Sequence, residues 1–112
     1  MIELIVINHL REQLPGIQVT AVDTESKPAQ RVTVERTGGG EDEHIRSAMI
    51  AVQSYGATQY AAAQLHEDVL QAMQTINALP QIGSCDLNQE YNFPDLETKE
   101  NRYQAVYDIV YY

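Results

Sequence analysis

Leu4, Ile7, Leu10 and Leu14, with His9 beside them, recur near helical spacing, and Pro15-Gly16 closes the run. Residues 2–14 are therefore predicted as a helix. The β-branched run Ile5-Val6-Ile7 favours a strand, but Glu3, Asn8, Arg11 and Glu12 share a polar face and decide for the helix. Alternation then takes over. Ile17, Val19 and Ala21 face one way and Gln18, Thr20 and Val22 the other, giving a strand at 17–23. "ESKPAQ" is a loop marked by Pro28. "RVTVER" opens a second strand, 31–37, with Val32 and Val34 on one face and Arg31, Thr33 and Glu35 on the other. A hairpin is expected between these two strands.

A third strand, 44–54, differs from the first two. Ala48, Ile50 and Val52 line one face, and Ile45, Met49 and Ala51 line the other. A strand that is apolar on both faces is usually covered on both sides. Few helices are available to do this, so another subunit is a candidate for the second cover, and Ile45, Met49 and Ala51 are candidate interface residues. Thr58 to Leu79 is the clearest helix. Thr58 caps its start, Pro80 ends it, and Ala61, Leu65, Val69, Ala72, Ile76 and Leu79 repeat at three- and four-residue steps. Small side chains in "YAAAQ" predict a close approach to the sheet. A fourth strand at 83–90, the loop "NFPDLETKEN" and a fifth strand "RYQAVYDIVYY" complete the chain.

The element order is α-β-β-β-α-β-β. Runs of neighbouring strands imply an α+β fold: a mainly antiparallel sheet of four to five strands with two helices packed on one face. With 112 residues and no linker or internal repeat, one domain spanning 1–112 is expected.

Charge narrows the function. Sixteen acids against seven Lys and Arg give −9, a balance that repels nucleic-acid phosphates and anionic membranes. No specific nucleic-acid or membrane partner is expected. The apolar opening "MIELIVINHL" has no basic lead and does not read as a signal peptide. A lone Cys85 allows no internal disulfide, and Asp86 beside it argues against a redox role.

Candidate chemistry is thin. Gly38, Gly39 and Gly40 suggest a phosphate loop, but Glu41, Asp42 and Glu43 follow where Lys and Ser or Thr are needed. Their plain reading is a mobile connection whose glycines supply positive φ. Glu41, Asp42, Glu43 and His44, or His66 with Glu67 and Asp68, lack recognised metal-ligand spacing. Ser47, Ser54, Ser84 and Cys85 show no base and orienting group. No catalytic, cofactor or metal residue is assigned, and an interaction protein is the expected class rather than an enzyme.

In order and spacing, "RVTVERTGGG", "IAVQSYGATQYAAAQLHEDVLQAM", "FPD" and "RYQAVYDIVY" resemble the tail terminator (tail completion, or tail-to-head joining) proteins of long-tailed bacteriophages. The resemblance covers Arg31 to Tyr112. It implies a structural protein that forms a hexameric ring on the last tail-tube ring, stops tube polymerisation and presents a surface to neck or head-completion proteins. It implies synthesis in the host cytoplasm, a place at the head-proximal end of the virion tail, and in some members a monomer before assembly. On that reading Gly38, Gly39, Gly40, Glu41, Asp42 and Glu43 form an assembly loop that orders on contact and can be deleted without loss of fold. Acids of 41–43 or 95–100 would line the lumen and repel passing DNA. A related neck or head-completion protein is the second reading, and a small ligand-binding α+β domain the third.

Overall fold

The computed structural model describes residues 1–21 and 27–112. Helix α1 spans Ile2–Gln13, strand β1 Gln18–Thr20, β2 Arg31–Asp42, β3 Ile45–Gly56, helix α2 Gln59–Met73, β4 Ile82–Asn92 and β5 Asn101–Tyr111, with a short 3-10 turn at Ile76–Ala78. The five strands form one sheet in the order β1-β2-β3-β5-β4. The fold is α+β, and every strand pair is antiparallel except β1 with β2.

The hairpin expected between the first two strands is therefore wrong. Gln18 pairs with Arg31 and Thr20 with Thr33 in parallel, so the chain must travel back between them. The strand is also shorter than 17–23; Val22 and Asp23, like Glu25 and Ser26 of the expected loop, lie outside the described residues.

Both helices lie on the same face of the sheet, α1 over β1 and β2 and α2 over β3 and β5. Residues directly opposite each other share a face, so the register fixes this side. Val34, Val52 and Ala105 form one row, and Ile50 with Tyr107 and Ala48 with Ile109 form the next. All are buried, against Ile2, Val6, Leu10, Leu65, Val69 and Met73 from the helices. Burying one such aliphatic side chain contributes about 1.5–3 kcal/mol, so this layer drives folding. Leu4, expected in the helical stripe, is exposed, and Ile2 and Val6 take the core positions instead.

Thr58 caps α2 as expected, its side chain accepting from Ala61 N at 3.0 Å. The helix stops at Met73, earlier than Leu79, and the 3-10 turn places Ile76 in the core. His9 marks the stop. Its Nε2 lies 2.9 Å from Ala72 O and 3.0 Å from Thr75 Oγ1. A carbonyl only accepts, so Nε2 carries the hydrogen and satisfies one of the helix's last carbonyls. The expected close approach is made from the sheet side. A Cβ on Gly56 would sit 2.4 Å from Ala62 N.

The glycine triplet is not a loop. Gly38, Gly39 and Gly40 continue β2 and pair with Met49, Ala48 and Ser47. Gly39 has φ +134, and a Cβ there would meet Ser47 O at 2.3 Å. Glycine is needed for that strand's approach to β3, next to a register shift between Arg36 and Gly38. The reversal falls instead on Glu43 and His44, with φ 50 and 71, the left-handed pair that a two-residue hairpin turn requires. Deleting 38–43 would remove the end of a central hairpin rather than a dispensable loop.

Urea unfolding should show Gly39→Ala losing about 1–3 kcal/mol. Gly40→Ala, with open space around its Cβ position, should change stability little, and His44→Gly should raise it by up to about 1 kcal/mol by relieving left-handed strain. Equal effects at positions 39 and 40 would contradict the strand geometry.

Candidate functional site

No described element covers the second face of the sheet. The residues pointing there divide into three bands along the strands. At the start of β2, Arg31 is fully buried although it lies on this side. Its Nη1 donates to Glu100 Oε2 at 2.6 Å and its Nη2 to Oε1 at 3.2 Å. The guanidinium also lies 3.8 Å over the Tyr55 ring. Arg102 stacks 4.4 Å over Phe93 and donates to Phe93 O. The segment between β4 and β5 thus folds back over this end of the sheet. Asp95 hardens that segment by accepting from Glu97 N and Thr98 N, and those backbone hydrogen bonds hold its carboxyl below the usual range.

The middle band is a polar ladder across four strands. Thr33 Oγ1 donates to Gln53 Oε1 at 2.9 Å, Gln53 Nε2 to Gln104 Oε1 at 2.8 Å, and Gln104 Nε2 to Tyr91 OH at 2.5 Å. Half-buried amides are tolerated because each link answers the next.

The third band is apolar at its centre. Ile45 is 54% and Met49 38% exposed, and half-buried Val106 and Val110 lie beside them on β5. The structure brings Ile45 and Met49 together on the uncovered face, as their alternation predicts. Ala51 shares the face but is only 1% exposed, because its larger neighbours close over its methyl group, so it supports the patch without presenting itself. Glu35, Asp86 and Asp108 fall on the same face by register.

The other predicted residues separate. Gly38, Gly40 and Asp42 take the uncovered side of β2, and Gly39 and Glu41 take the helix side. Strand alternation therefore splits the acid run, and only Glu43 belongs to the turn. His66 is buried on α2 with Nε2 2.9 Å from Glu90 Oε1 and its ring stacked 5.2 Å from Tyr103. Its Nδ1 meets no hydrogen-bond partner among the described residues. Nor do three or more His, Cys, Asp or Glu side chains come together there as a metal site. No described helix is long and apolar enough to cross a membrane.

Cys85 is half-buried on β4, in the wall of a groove of about 230 Å³ beneath α2 that Leu70, Met73 and Leu87 also line. Burial first, and Asp86 second, push its thiol up to about 12, so the nucleophilic thiolate is scarce near neutrality. Burial also raises Tyr107 above its ordinary value. Sequence reasoning missed the Arg31–Glu100 pair because alternation made Arg31 a solvent-facing residue, and its partner is brought up by a fold-back distant in the chain.

No protein-family model and no curated protein matches this sequence.

Two predictions follow from this chemistry. Glu100→Gln removes a carboxylate from beside the buried Arg31 guanidinium and should cost about 2–4 kcal/mol, while Arg31→Met with Glu100→Met should cost less than that single change. A double variant as damaged as the sum of its parts would contradict the pairing. Cys85 keeps its proton in the fold and loses it on unfolding. Its contribution is therefore whole below the ordinary thiol value of 9.0 and falls as pH rises toward about 12. Stability measured from pH 8 to 11 should decline, and Cys85→Ser should flatten that decline.

Proposed function

We propose that this chain is a structural protein of the phage tail terminator kind. It assembles as a hexameric ring on the end of the tail tube, stops its growth and offers the docking surface for the neck or head-completion protein. One observation carries the reading: exposed Ile45 and Met49 lie with Val106 and Val110 on a sheet face that the chain's own helices do not cover. A monomer gains nothing from such a patch, whereas a subunit that docks on a tube end or a neck protein gains a contact surface.

Charge supports the same reading. The uncovered face carries Glu35, Asp42, Asp86 and Asp108 by register, and the whole chain is −9. In a ring, the face bearing two helices takes the longer outer circumference, so the uncovered faces turn toward the hole. Acids there repel DNA phosphates and let the duplex slide. The lumen acids on this geometry are those four, rather than the 41–43 run or 95–100 as blocks.

The quoted motifs fall on coherent elements. "RVTVERTGGG" is β2, "IAVQSYGATQYAAAQLHEDVLQAM" runs from β3 through α2, and "RYQAVYDIVY" is β5. An assembly role therefore rests on rigid strands and one hairpin tip rather than on a loop.

The test is co-expression with a tail-tube subunit. Tubes made with this chain should stop growing and carry a ring at one end in electron micrographs. Unchanged length distributions with no end-bound ring would overturn the reading, and binding to filled heads but not to tube ends would move it to a neck or head-completion protein.

A further inference from the structure

The sheet has two unlike edges. Among the described residues, β1 covers β2 only at Arg31–Thr33, so no strand lies beyond residues 34–42 of β2. At the other end of the order, β4 has β5 on one side and no described strand on its other. Unpaired strand edges present rows of N–H and C=O groups that another strand can take up.

We infer that the β4 edge of one copy pairs with the β2 edge of the next, joining copies head to tail into one continuous sheet. This rests on the ring-forming reading above and names its contact. Three features select a second copy as the occupant.

The first is polarity. β2, β3, β5 and β4 alternate in direction along the sheet. A copy placed in line, with its helices on the same side, therefore brings β2 antiparallel to β4. Nothing has to be flipped.

The second is the match of irregularities. β2 carries one extra residue between Arg36 and Gly38, and β4 one between Leu87 and Gln89 and another between Ile82 and Ser84, which falls beside the turn at Glu43 when Arg36 faces Glu90. An extra residue is left out of the ladder where the partner strand is regular, as β3 is opposite Arg36 and Gly38, whereas two strands that each carry one can stay in step residue for residue. Arg36 and Glu90 both point to the helix side. Setting Arg36 opposite Glu90 places the two extra residues on neighbouring rungs, Thr37 opposite Gln89 and Asn88 opposite Gly38. Gly39 then meets Leu87 on the helix side, and Gly40 meets Asp86 on the uncovered side. Inward and outward faces stay in phase on both sides of the irregularity.

The third is charge and space. Arg36 is the one cation of β2 past its first residue, and Glu90 has an exposed carboxylate. Pairing β4 with another β4 would instead bring acids without a cation, since β4 carries Asp86 and Glu90 and neither Lys nor Arg. Gly39 has no side chain to collide with Leu87, which stands 45% exposed at the rim of the groove under α2. An interface of two different edges closes into a ring if its rotation allows.

The experiment uses the full chain in a Cys85→Ser background. One preparation carries Gly40→Cys, where a side chain meets nothing within 4 Å. The other carries Asp86→Cys, at an exposed position. A short bis-maleimide is added to each alone and to their mixture. The mixture should give covalent dimer at least ten-fold above either preparation alone, and a chain carrying both substitutions should give a ladder of oligomers. No mixed product, or dimer formed equally well by one preparation alone, overturns the inference. Tube capping that survives while the mixed product is absent removes this contact and leaves the terminator reading standing. Mixed product with unchecked tube growth does the reverse.

Discussion

A sheet of this size has two faces, and the chain contains helices enough for one of them. That constraint organises everything else. α1 and α2 lie over the same side, and the aliphatic rows of β2, β3 and β5 are buried there. The other side must be satisfied without a second layer. A water-exposed antiparallel face normally does this with polar residues. This chain does it in three ways along the strands: a buried ion pair under a folded-back segment, a ladder of amides, and an apolar patch. The first two consume polar groups internally. The third leaves a surface that a second protein can cover.

The ion pair and the ladder have a common logic. Arg31 cannot lie buried without a counter-charge, so Glu100 must come to it, and the segment between β4 and β5 is fixed against the sheet. Asp95 then orders the turn inside that segment. Beside it, Thr33, Gln53, Gln104 and Tyr91 satisfy one another across four strands. Such a ladder also resists register slips, because a one-residue shift would turn its members to the wrong face and break every link. The end of the sheet near Arg31 is thus closed and rigid, while the end near Ile45 stays bare.

Most elements were legible from local pattern. The alternation of Tyr103, Ala105, Tyr107 and Ile109 and the cap at Thr58 are properties of neighbouring residues, and they appear where the sequence puts them. The misses are non-local. A glycine triplet reads as a turn because positive φ is what glycine usually supplies. Here the left-handed turn residues are Glu43 and His44, and Gly39 is needed by the backbone of Ser47, a neighbour only the folded hairpin reveals. The parallel pairing of β1 and β2 depends on the path between them, and no local signal records that path. α2 ends at Met73, and the Ala72 carbonyl beside that end accepts from His9, far away in sequence, as well as from Thr75. Of the apolar patch, Ile45 and Met49 could be read from alternation. The closure over Ala51 could not, since it depends on the sizes of its cross-strand neighbours.

The irregular edges bear on how such a surface avoids indiscriminate pairing. β-bulges on edge strands ordinarily act against aggregation, because they twist the edge and cost a regular strand ladder hydrogen bonds where the extra residue goes unpaired. β2 and β4 both carry them, at Thr37 and at Asn88. A regular strand from an unrelated protein could pair past the irregularity only by leaving the extra residue out of the ladder. A strand with its own extra residue at the matching place keeps phase throughout. The same device that rejects most strands therefore admits one kind, and this chain supplies it at its other edge. Specificity here comes from features that weaken every pairing except the one in which both strands break step together.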